Sequence, residues 1–166
     1  GATWGAPIEE FQEHGWDKIM DINVKAPFFL TRQLLPLLQA AASPQDPARV
    51  IMVGSIDGIN VNRLPTFSYG PSKAAVHHLA RVLAAQLAPR NIICNAIAPG
   101  LFPSRMTAKT IDDIGDRIVA ATPLQRMGQY EDMAGIAVFL ASRASSFMTG
   151  TVIPVDGGLT GSRPTL

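Results

Sequence analysis

Three short runs of apolar residues, each closed by a turn, constrain the fold of this chain most. Residues 49–53 are followed by Gly54-Ser55, residues 91–98 by Pro99-Gly100, and residues 151–155 by Asp156. The runs are rich in branched aliphatic side chains and do not alternate with polar ones. Such a pattern is typical of strands in a parallel sheet, where both faces are buried.

Long helical patterns separate these runs, as the crossovers of a parallel sheet require. A short acidic helix is predicted from Ile8, with Gly15 interrupting it. Longer helices are predicted over residues 16–42, 69–87 and 131–141, and an irregular stretch with a short helical middle over residues 101–128. The alternation of helix and strand predicts an α/β fold with a helix-covered parallel sheet. Because the helix over 16–42 is apolar nearly all round, we expect it to be buried on both sides, by the sheet and by a second subunit.

Composition excludes several classes of function. The 166 residues are 47% hydrophobic and 16% charged, which is too apolar for a disordered chain. A net charge of +1 gives no electrostatic case for a nucleic acid or a membrane surface as partner. One cysteine, Cys94, excludes an intrachain disulfide and favours a reducing, cytoplasmic location. The adjacent His77 and His78 point in different directions and His14 is distant, so no metal site is expected.

Chemistry is expected where the strands end, because ligands of open parallel sheets bind outside the carboxyl ends of the strands. Tyr69 and Lys73 are four residues apart, which places both on one face at the start of a predicted helix. A tyrosine is a poor base at neutral pH unless a nearby positive charge lowers its pKa, and Lys73 is placed to supply that charge. Ser55, at a strand end upstream, could then hydrogen-bond the reacting oxygen.

These residues, taken in order, resemble the short-chain dehydrogenase/reductase family. The resemblance rests on Ser55, Tyr69-Gly-Pro-Ser-Lys73, Asn95-Ala-Ile-Ala-Pro-Gly100 and Val155-Asp-Gly-Gly158, and it runs from Gly1 to Gly158. Within the family, the chain is similar to 3-oxoacyl-(acyl carrier protein) reductases of the rhamnolipid-pathway type. This closer similarity rests on Trp4-Gly5, Gly15-Trp16 and Phe102-Pro-Ser-Arg-Met-Thr107.

The resemblance implies a catalytic role for four residues. Tyr69 would be the acid/base in hydride transfer between a nicotinamide and a carbonyl or secondary alcohol. Lys73 would lower the pKa of Tyr69 and hold the ribose of the nicotinamide, and Ser55 would orient the substrate carbonyl. Asn23 matches the asparagine that anchors a water in the proton relay of the family. A mid-helix asparagine is also often bonded only to neighbouring backbone, and that alternative stays open.

The same resemblance implies a cofactor site for NADP or NAD. Gly1 corresponds to the last glycine of the Asn-Asn-Ala-Gly segment of the family. The other residues implied, besides Tyr69 and Lys73, are Pro99, Gly100, Phe102 and Ser104. Ser104 is equally plausible as a helix N-cap. NADP is slightly favoured by the resemblance, but the residues that would select between the two dinucleotides are absent.

The Gly-rich turn that holds a dinucleotide pyrophosphate after the first strand is also absent. None of the 14 glycines forms Gly-x-x-x-Gly-x-Gly between a strand and a helix. We therefore expect a Rossmann-like, doubly wound sheet whose first four strands are missing. Residues 1–166 would form one domain, the carboxyl-terminal catalytic portion of a reductase, with a substrate loop over 101–128.

The function expected is an oxidoreductase that acts on a carbonyl or acyl substrate and assembles as a homodimer or homotetramer. A 3-oxoacyl thioester is one candidate substrate. Two alternatives stay open. A nucleotide-sugar epimerase or dehydratase also uses Tyr-x-x-x-Lys, but usually carries a longer substrate domain after the last strand. A catalytically silent remnant, acting only in dimerisation, would explain why the cofactor half is absent.

Overall fold

A computed structural model describes residues 1–161 of the chain. Its sheet has three parallel strands in the order β1-β2-β3, formed by Ala48–Val53, Ile92–Pro99 and Val152–Val155. Val53 pairs with Ile97, and Pro99 pairs with Val155. All three strands therefore end at the same edge of the sheet, and the α/β fold with a parallel sheet is confirmed.

The described residues form five α-helices. They are α1 (Glu13–Met20), α2 (Ala26–Ala41), α3 (Tyr69–Leu87), α4 (Ala108–Ala121) and α5 (Tyr130–Ala141). Of these, α2, α3 and α5 pack on the sheet. A π-helical segment, Asp21–Lys25, joins α1 to α2 without a break, and short 3-10 turns lie at Ile8–Glu10, Ile56–Gly58, Ala88–Arg90 and Arg143–Ser145. Within the described residues, no helix is both long enough and apolar enough to cross a bilayer.

Two predictions about the helices were wrong. Gly15 does not interrupt a helix but lies inside α1, where the missing side chain makes room for the indole of Trp4. The helical middle of residues 101–128 is also not short, because α4 is 14 residues long. The apolar residues of α4 recur on one face of the helix, between many charged residues, as in an amphipathic helix. The loop-like composition of the flanking residues led to the prediction of a shorter helix.

The core lies between β2 and α3. Seven successive residues of β2, from Ile92 to Ala98, are buried, and successive strand residues point to opposite faces of a sheet. Both faces of β2 are therefore covered, as its largely apolar sequence predicted. Cys94 is fully buried in this strand, and burial raises the pKa of its thiol to about 12.

The expected burial of α2 on both sides is not found in this single chain. Side chains along it remain well exposed: Phe28, Phe29, Leu30, Leu34 and Leu37. Leu37 is 68% exposed, and Val53 on the edge strand β1 is 57% exposed. The helix contacts β1 with its other face, so its second apolar face has no cover within the described part of the chain.

Two helical glycines give a matched test of the packing around Trp4. A Cβ on Gly15 would lie 2.7 Å from atoms of the Trp4 ring, whereas a Cβ on Gly135 of α5 would meet nothing within 4 Å. Both substitutions to alanine gain helix propensity. We expect Gly15→Ala to lower the free energy of unfolding by roughly 1–3 kcal/mol through overpacking.

The control, Gly135→Ala, should raise the free energy of unfolding by about 0.5–1 kcal/mol. Urea unfolding followed by tryptophan fluorescence measures both. A Gly15→Ala variant as stable as Gly135→Ala would show that the indole does not hold this position.

Candidate active site

The first turns of α3 carry Tyr69 and Lys73 to the edge where the strands end. The helix begins at Tyr69, as predicted, and Pro71 is tolerated because it lies in the first turn. Ser72 is fully buried beneath this turn, and its hydroxyl donates to the carbonyl of Tyr69 over 2.7 Å. The start of the helix is therefore anchored, and the two side chains share one face of it.

Lys73 is almost entirely enclosed, with 6% of its surface exposed. Its Nζ donates to the carbonyl oxygen of Val53, the last residue of β1, over 2.9 Å. The same Nζ lies 5.6 Å from the centre of the Tyr69 ring. Burial lowers the pKa of Lys73, because an ammonium group is poorly solvated in this position. The lysine thus ties α3 to the end of β1.

Ser55 follows β1 and caps the short turn after it. Its Oγ accepts a hydrogen bond from the amide of Asp57 over 3.2 Å. The hydroxyl also interacts with the phenol of Tyr69. The structure therefore brings Ser55, Tyr69 and Lys73 together, although 18 positions separate the first from the last.

The expected effect of Lys73 on Tyr69 is not found in this structure. The pKa of Tyr69 is raised: burial raises it most, the hydrogen bond from Ser55 opposes that effect, and the carboxylate of Asp57 raises it further. The ammonium of Lys73 is bound to a carbonyl oxygen. The phenol is therefore harder to ionise in this structure than a free tyrosine.

Asn23 lies in the π-helical segment and is buried. Its Oδ1 accepts from the amide of Ala2 over 2.9 Å, and its Nδ2 donates to the carbonyl of Ala2 over 2.9 Å and to Ser72 Oγ over 3.0 Å. These partners are 21 and 49 residues away in sequence. The alternative that Asn23 bonds only to neighbouring backbone is therefore wrong.

The same contacts place Gly1 beside the catalytic candidates. A Cβ on Gly1 would lie 3.1 Å from Asn23 Oδ1 and 3.3 Å from Lys73 Nζ. The first residues of the chain thus pass over the amino-terminal part of α3. Glycine leaves the space in front of Lys73 open.

Pro99 and Gly100 lie at the end of β2, on the same edge of the sheet as Ser55. The amide of Gly100 donates to the carbonyl of Val155 over 2.9 Å, and a Cβ on Gly100 would lie 2.9 Å from atoms of Asp156. Asp156 is held by the amide of Gly158 and by the amide and hydroxyl of Thr160. The Pro-Gly turn therefore packs closely against the turn after β3.

Phe102 and Ser104 are held within the segment that leads to α4. The Phe102 ring fills the space that a side chain on Gly128 would take, and its carbonyl accepts from Thr107 Oγ1 over 2.6 Å. Ser104 Oγ accepts from the amide of Thr107 over 3.2 Å. Ser104 is exposed, and its Oγ also lies 2.8 Å from Thr107 Oγ1. Thr107, not Ser104, is the N-cap of α4, so the interpretation of Ser104 as the helix N-cap is wrong.

A cavity of about 490 Å³ opens beneath this segment. Its lining comes from α4, the segment after α4 and the turn after β3, and it includes Leu101, Phe102, Ile118, Val119, Leu124 and Met127. The ion pair of Arg126 with Asp132, 2.7 Å long, stands at its rim. Tyr69 and Ser55 are not part of this lining.

His77 contacts Ser55 and the glycines on either side of it in the turn. It lies one helical turn after Lys73 and is 3% exposed, and its Nε2 accepts from the amide of Ser55 over 3.4 Å. His78 is exposed. Among residues 1–161 no group of three potential metal ligands is found. The signal in the sequence was the four-residue spacing from Lys73, which puts His77 on the face that carries the site.

Comparison with known proteins identifies the family. The profile of the family described as enoyl-(acyl carrier protein) reductase matches residues 1–160. The rhamnolipids biosynthesis 3-oxoacyl-(acyl carrier protein) reductase of Pseudomonas aeruginosa is 47% identical over 160 residues, which are 95% of this chain and 62% of that protein. The chain belongs to the short-chain dehydrogenase/reductase family.

Other members of this family agree. The 3-oxoacyl-(acyl carrier protein) reductase of Thermotoga maritima is 36% identical over 96% of this chain and 63% of its own. The solved Pseudomonas aeruginosa RhlG/NADP active-site complex superposes with a TM-score of 0.91 at 46% identity, covering 96% of this chain and 63% of that one. The solved structure of a Beutenbergia cavernae protein, described as a gluconate 5-dehydrogenase with bound NADP, has a TM-score of 0.90 at 34% identity. The match covers 98% of this chain and 64% of that one.

The resemblance stated from the motifs is therefore confirmed, including the similarity to a rhamnolipid-pathway reductase. This short-chain dehydrogenase/reductase chain spans a little over three fifths of the length of these relatives. Its parallel sheet corresponds to part of their Rossmann-like fold.

Asn23 offers a test of how the first residues are held against α3. Asn23→Ala leaves the backbone groups of Ala2 and the hydroxyl of Ser72 without these partners. We expect the free energy of unfolding to fall by roughly 1–3 kcal/mol. The Ala2 amide should also exchange faster with solvent deuterium, which NMR measures.

Asn60→Ala is the matched control, because Asn60 is an exposed asparagine in the turn after Ser55. It should change stability by no more than about 0.5 kcal/mol. Equal effects of the two variants would contradict the structural role given to Asn23.

Proposed function

We propose that this chain is the catalytic portion of an NADP- or NAD-dependent oxidoreductase that interconverts a carbonyl and a secondary alcohol. The observation that carries the proposal is the meeting of Ser55, Tyr69 and Lys73 at the carboxyl ends of the strands. A hydroxyl donor, a protonated phenol and a buried ammonium are the groups needed to polarise a carbonyl and protonate its oxygen.

In the direction of reduction, Tyr69 donates its proton to the substrate oxygen. The phenol has a proton to donate at neutral pH, because the ordinary pKa of a tyrosine is about 10. Ser55 donates a hydrogen bond to the same oxygen and orients the carbonyl. When bound, the nicotinamide supplies the hydride that reaches the carbonyl carbon. Hydride and proton together convert the carbonyl into an alcohol.

The residues near Tyr69 fit the nicotinamide end of such a cofactor. Lys73 has donors to spare for ribose hydroxyls, because one of its three is used by Val53. Gly1 is exposed beside Lys73, and Gly100 follows the end of β2. Ser104 is exposed, and its hydroxyl is bound to Thr107. Phe102 and Pro99 would border the carboxamide. NADP is the better supported of the two dinucleotides, since the Pseudomonas aeruginosa and Beutenbergia cavernae proteins are described with NADP.

Residues 101–128 would form the substrate loop, and a 3-oxoacyl thioester is the substrate class we favour. The cavity beneath this segment has a mostly apolar lining, which suits an acyl chain. Two of the relatives are named as 3-oxoacyl-(acyl carrier protein) reductases. No nucleic acid is part of the proposal, and a cytoplasmic location is expected from the single buried cysteine.

A homodimer or homotetramer completes the proposal. The uncovered face of α2 carries several large apolar side chains on neighbouring turns, which a second copy of the helix would bury. The same residues account for the helical pattern that is apolar nearly all round.

Tyr69→Phe tests the catalytic proposal. The variant loses only the phenol oxygen, so it should lower kcat for reduction of a 3-oxoacyl thioester by about 100-fold or more. The assay uses this chain preceded by the amino-terminal segment of the Pseudomonas aeruginosa relative, and follows oxidation of NADPH by absorbance.

Tyr130→Phe is the matched control, because Tyr130 is 73% exposed on α5. It should retain full activity. Near-normal turnover by Tyr69→Phe would overturn the acid/base assignment. Absence of turnover in the unmodified fusion, with NADPH still bound, would favour the silent dimerisation module.

Leu37→Glu tests the dimer. A carboxylate at this exposed position of α2 would be buried without a partner in the assembled protein, so we expect the dimer to dissociate. Analytical ultracentrifugation measures the change. Gln39→Glu adds the same charge to the same helix without removing an apolar side chain, and should leave the dimer intact. A monomeric unmodified protein would overturn the proposed assembly.

A further inference from the structure

We propose that His77 is a positioning residue for Ser55, because its imidazole bridges the two ends of the turn formed by residues 54–58. This inference deepens the proposed function and depends on it for one of its three tests.

The imidazole of His77 lies directly against the turn. A Cβ on Gly54 would overlap His77 Nε2, and a Cβ on Gly58 would lie 2.8 Å from His77 Cε1. A Cβ on Gly58 would also lie 2.6 Å from the backbone of Lys73. Two glycines at the two ends of the turn therefore leave the space that the ring fills, and they let the turn pack against α3.

Hydrogen bonds join the ring to both ends of the turn. The amide of Ser55 donates to Nε2 over 3.4 Å, and the backbone of Gly58 acts as a hydrogen-bond acceptor that raises the pKa of His77. Because Nε2 is an acceptor, the donating nitrogen is Nδ1, so the arrangement requires the neutral Nδ1–H tautomer. The ring thus lies between the amide of Ser55 and the carbonyl of Gly58 and interacts with both.

The charges around the ring favour this neutral state. Burial lowers the pKa of His77, and the positive charges of Arg81 and Lys73 on the same helix lower it further, against the effect of the Gly58 carbonyl. On the turn itself, Asp57 is the carboxylate nearest in sequence, and its Oδ2 is bound by Asn62 Nδ2 over 2.7 Å. His77 is therefore uncharged at neutral pH and keeps its acceptor.

The position of the Ser55 hydroxyl depends on this turn. Ser55 Oγ accepts from the amide of Asp57, which lies between the two residues that His77 holds. A displaced turn would move Oγ away from Tyr69, and errors of about 1 Å in such groups cost up to about 100-fold in rate. A histidine that only filled space could be replaced by any side chain of similar volume.

The first test is spectroscopic and needs no activity. Nitrogen-15 NMR of the labelled chain should show His77 as the Nδ1–H tautomer from pH 6 to pH 8. His78, which is exposed on the same helix, is the internal control for a ring outside the turn. An Nε2–H tautomer, or a charged ring at pH 7, at position 77 would overturn the proposal.

The second test uses Gly54. Gly54→Ala should lower the urea midpoint of unfolding when His77 is present, because the new methyl group meets the ring. The same substitution in a His77→Ala background should lower it much less. Equal losses in the two backgrounds would show that the ring does not occupy the space beside Gly54.

The third test separates positioning from packing, in the fusion protein that carries the amino-terminal segment of the relative. His77→Leu keeps volume but removes both hydrogen bonds, and should lower kcat about 10- to 100-fold with little change in KM. His77→Gln can place an acceptor near the position of Nε2, and should recover most of that loss. The control His78→Leu should leave both constants unchanged.

Loss of kcat in His77→Leu without recovery in His77→Gln would mean that the ring only packs. If the unmodified fusion reduces no carbonyl substrate, the proposed function fails, while the NMR measurement and the Gly54 comparison still decide the role of His77.

Discussion

Complete burial of β2 is the constraint on which the rest of the structure depends. Its residues face helices on both sides, so the polar groups of its backbone must pair with β1 and β3. That pairing brings the three strand ends to one edge of the sheet. Side chains of α3 such as Val76, Ala80 and Leu83 pack on β2 and set the position of the helix along it.

The position of α3 in turn determines the candidate site. Packing on β2 brings Lys73 within hydrogen-bond distance of Val53 and sets Tyr69 beside Ser55. One face of the helix therefore packs against the core and also carries the candidate catalytic residues. The His77 ring belongs to the same face, where it contacts the turn that carries Ser55.

Much of the fold was predictable because its signals are local. The apolar run of β2 and the boundaries of α3, Tyr69–Leu87, follow from residue order and from turn residues at the ends. Two predictions were wrong: that Gly15 interrupts a helix, and that the helix within residues 101–128 is short. A glycine is a helix breaker by propensity, but at position 15 the contact with Trp4 outweighs that preference.

The candidate site, too, was predictable where its signals are local and not where they depend on tertiary contacts. Spacing predicted that Tyr69 and Lys73 share a face, and the strand ends indicated Ser55 and the Pro99-Gly100 turn. The family resemblance added Asn23, Gly1, Phe102 and Ser104. The direction in which the pKa of Tyr69 shifts could not be predicted from spacing. It depends on how deeply the phenol is buried and on how closely Asp57 approaches it. The partners of Asn23 are 21 and 49 residues away, beyond the reach of any local pattern.

The sequence by itself determined the order of helices and strands, the parallel sheet, the family and the set of candidate catalytic residues. These depend on hydrophobic periodicity and on motifs that are contiguous in the chain. Only the tertiary structure decided that Lys73 binds a strand carbonyl, that the pKa of Tyr69 is raised and that His77 contacts the Ser55 turn. Those properties depend on desolvation and on contacts between residues distant in sequence, and both exist only after the chain has packed.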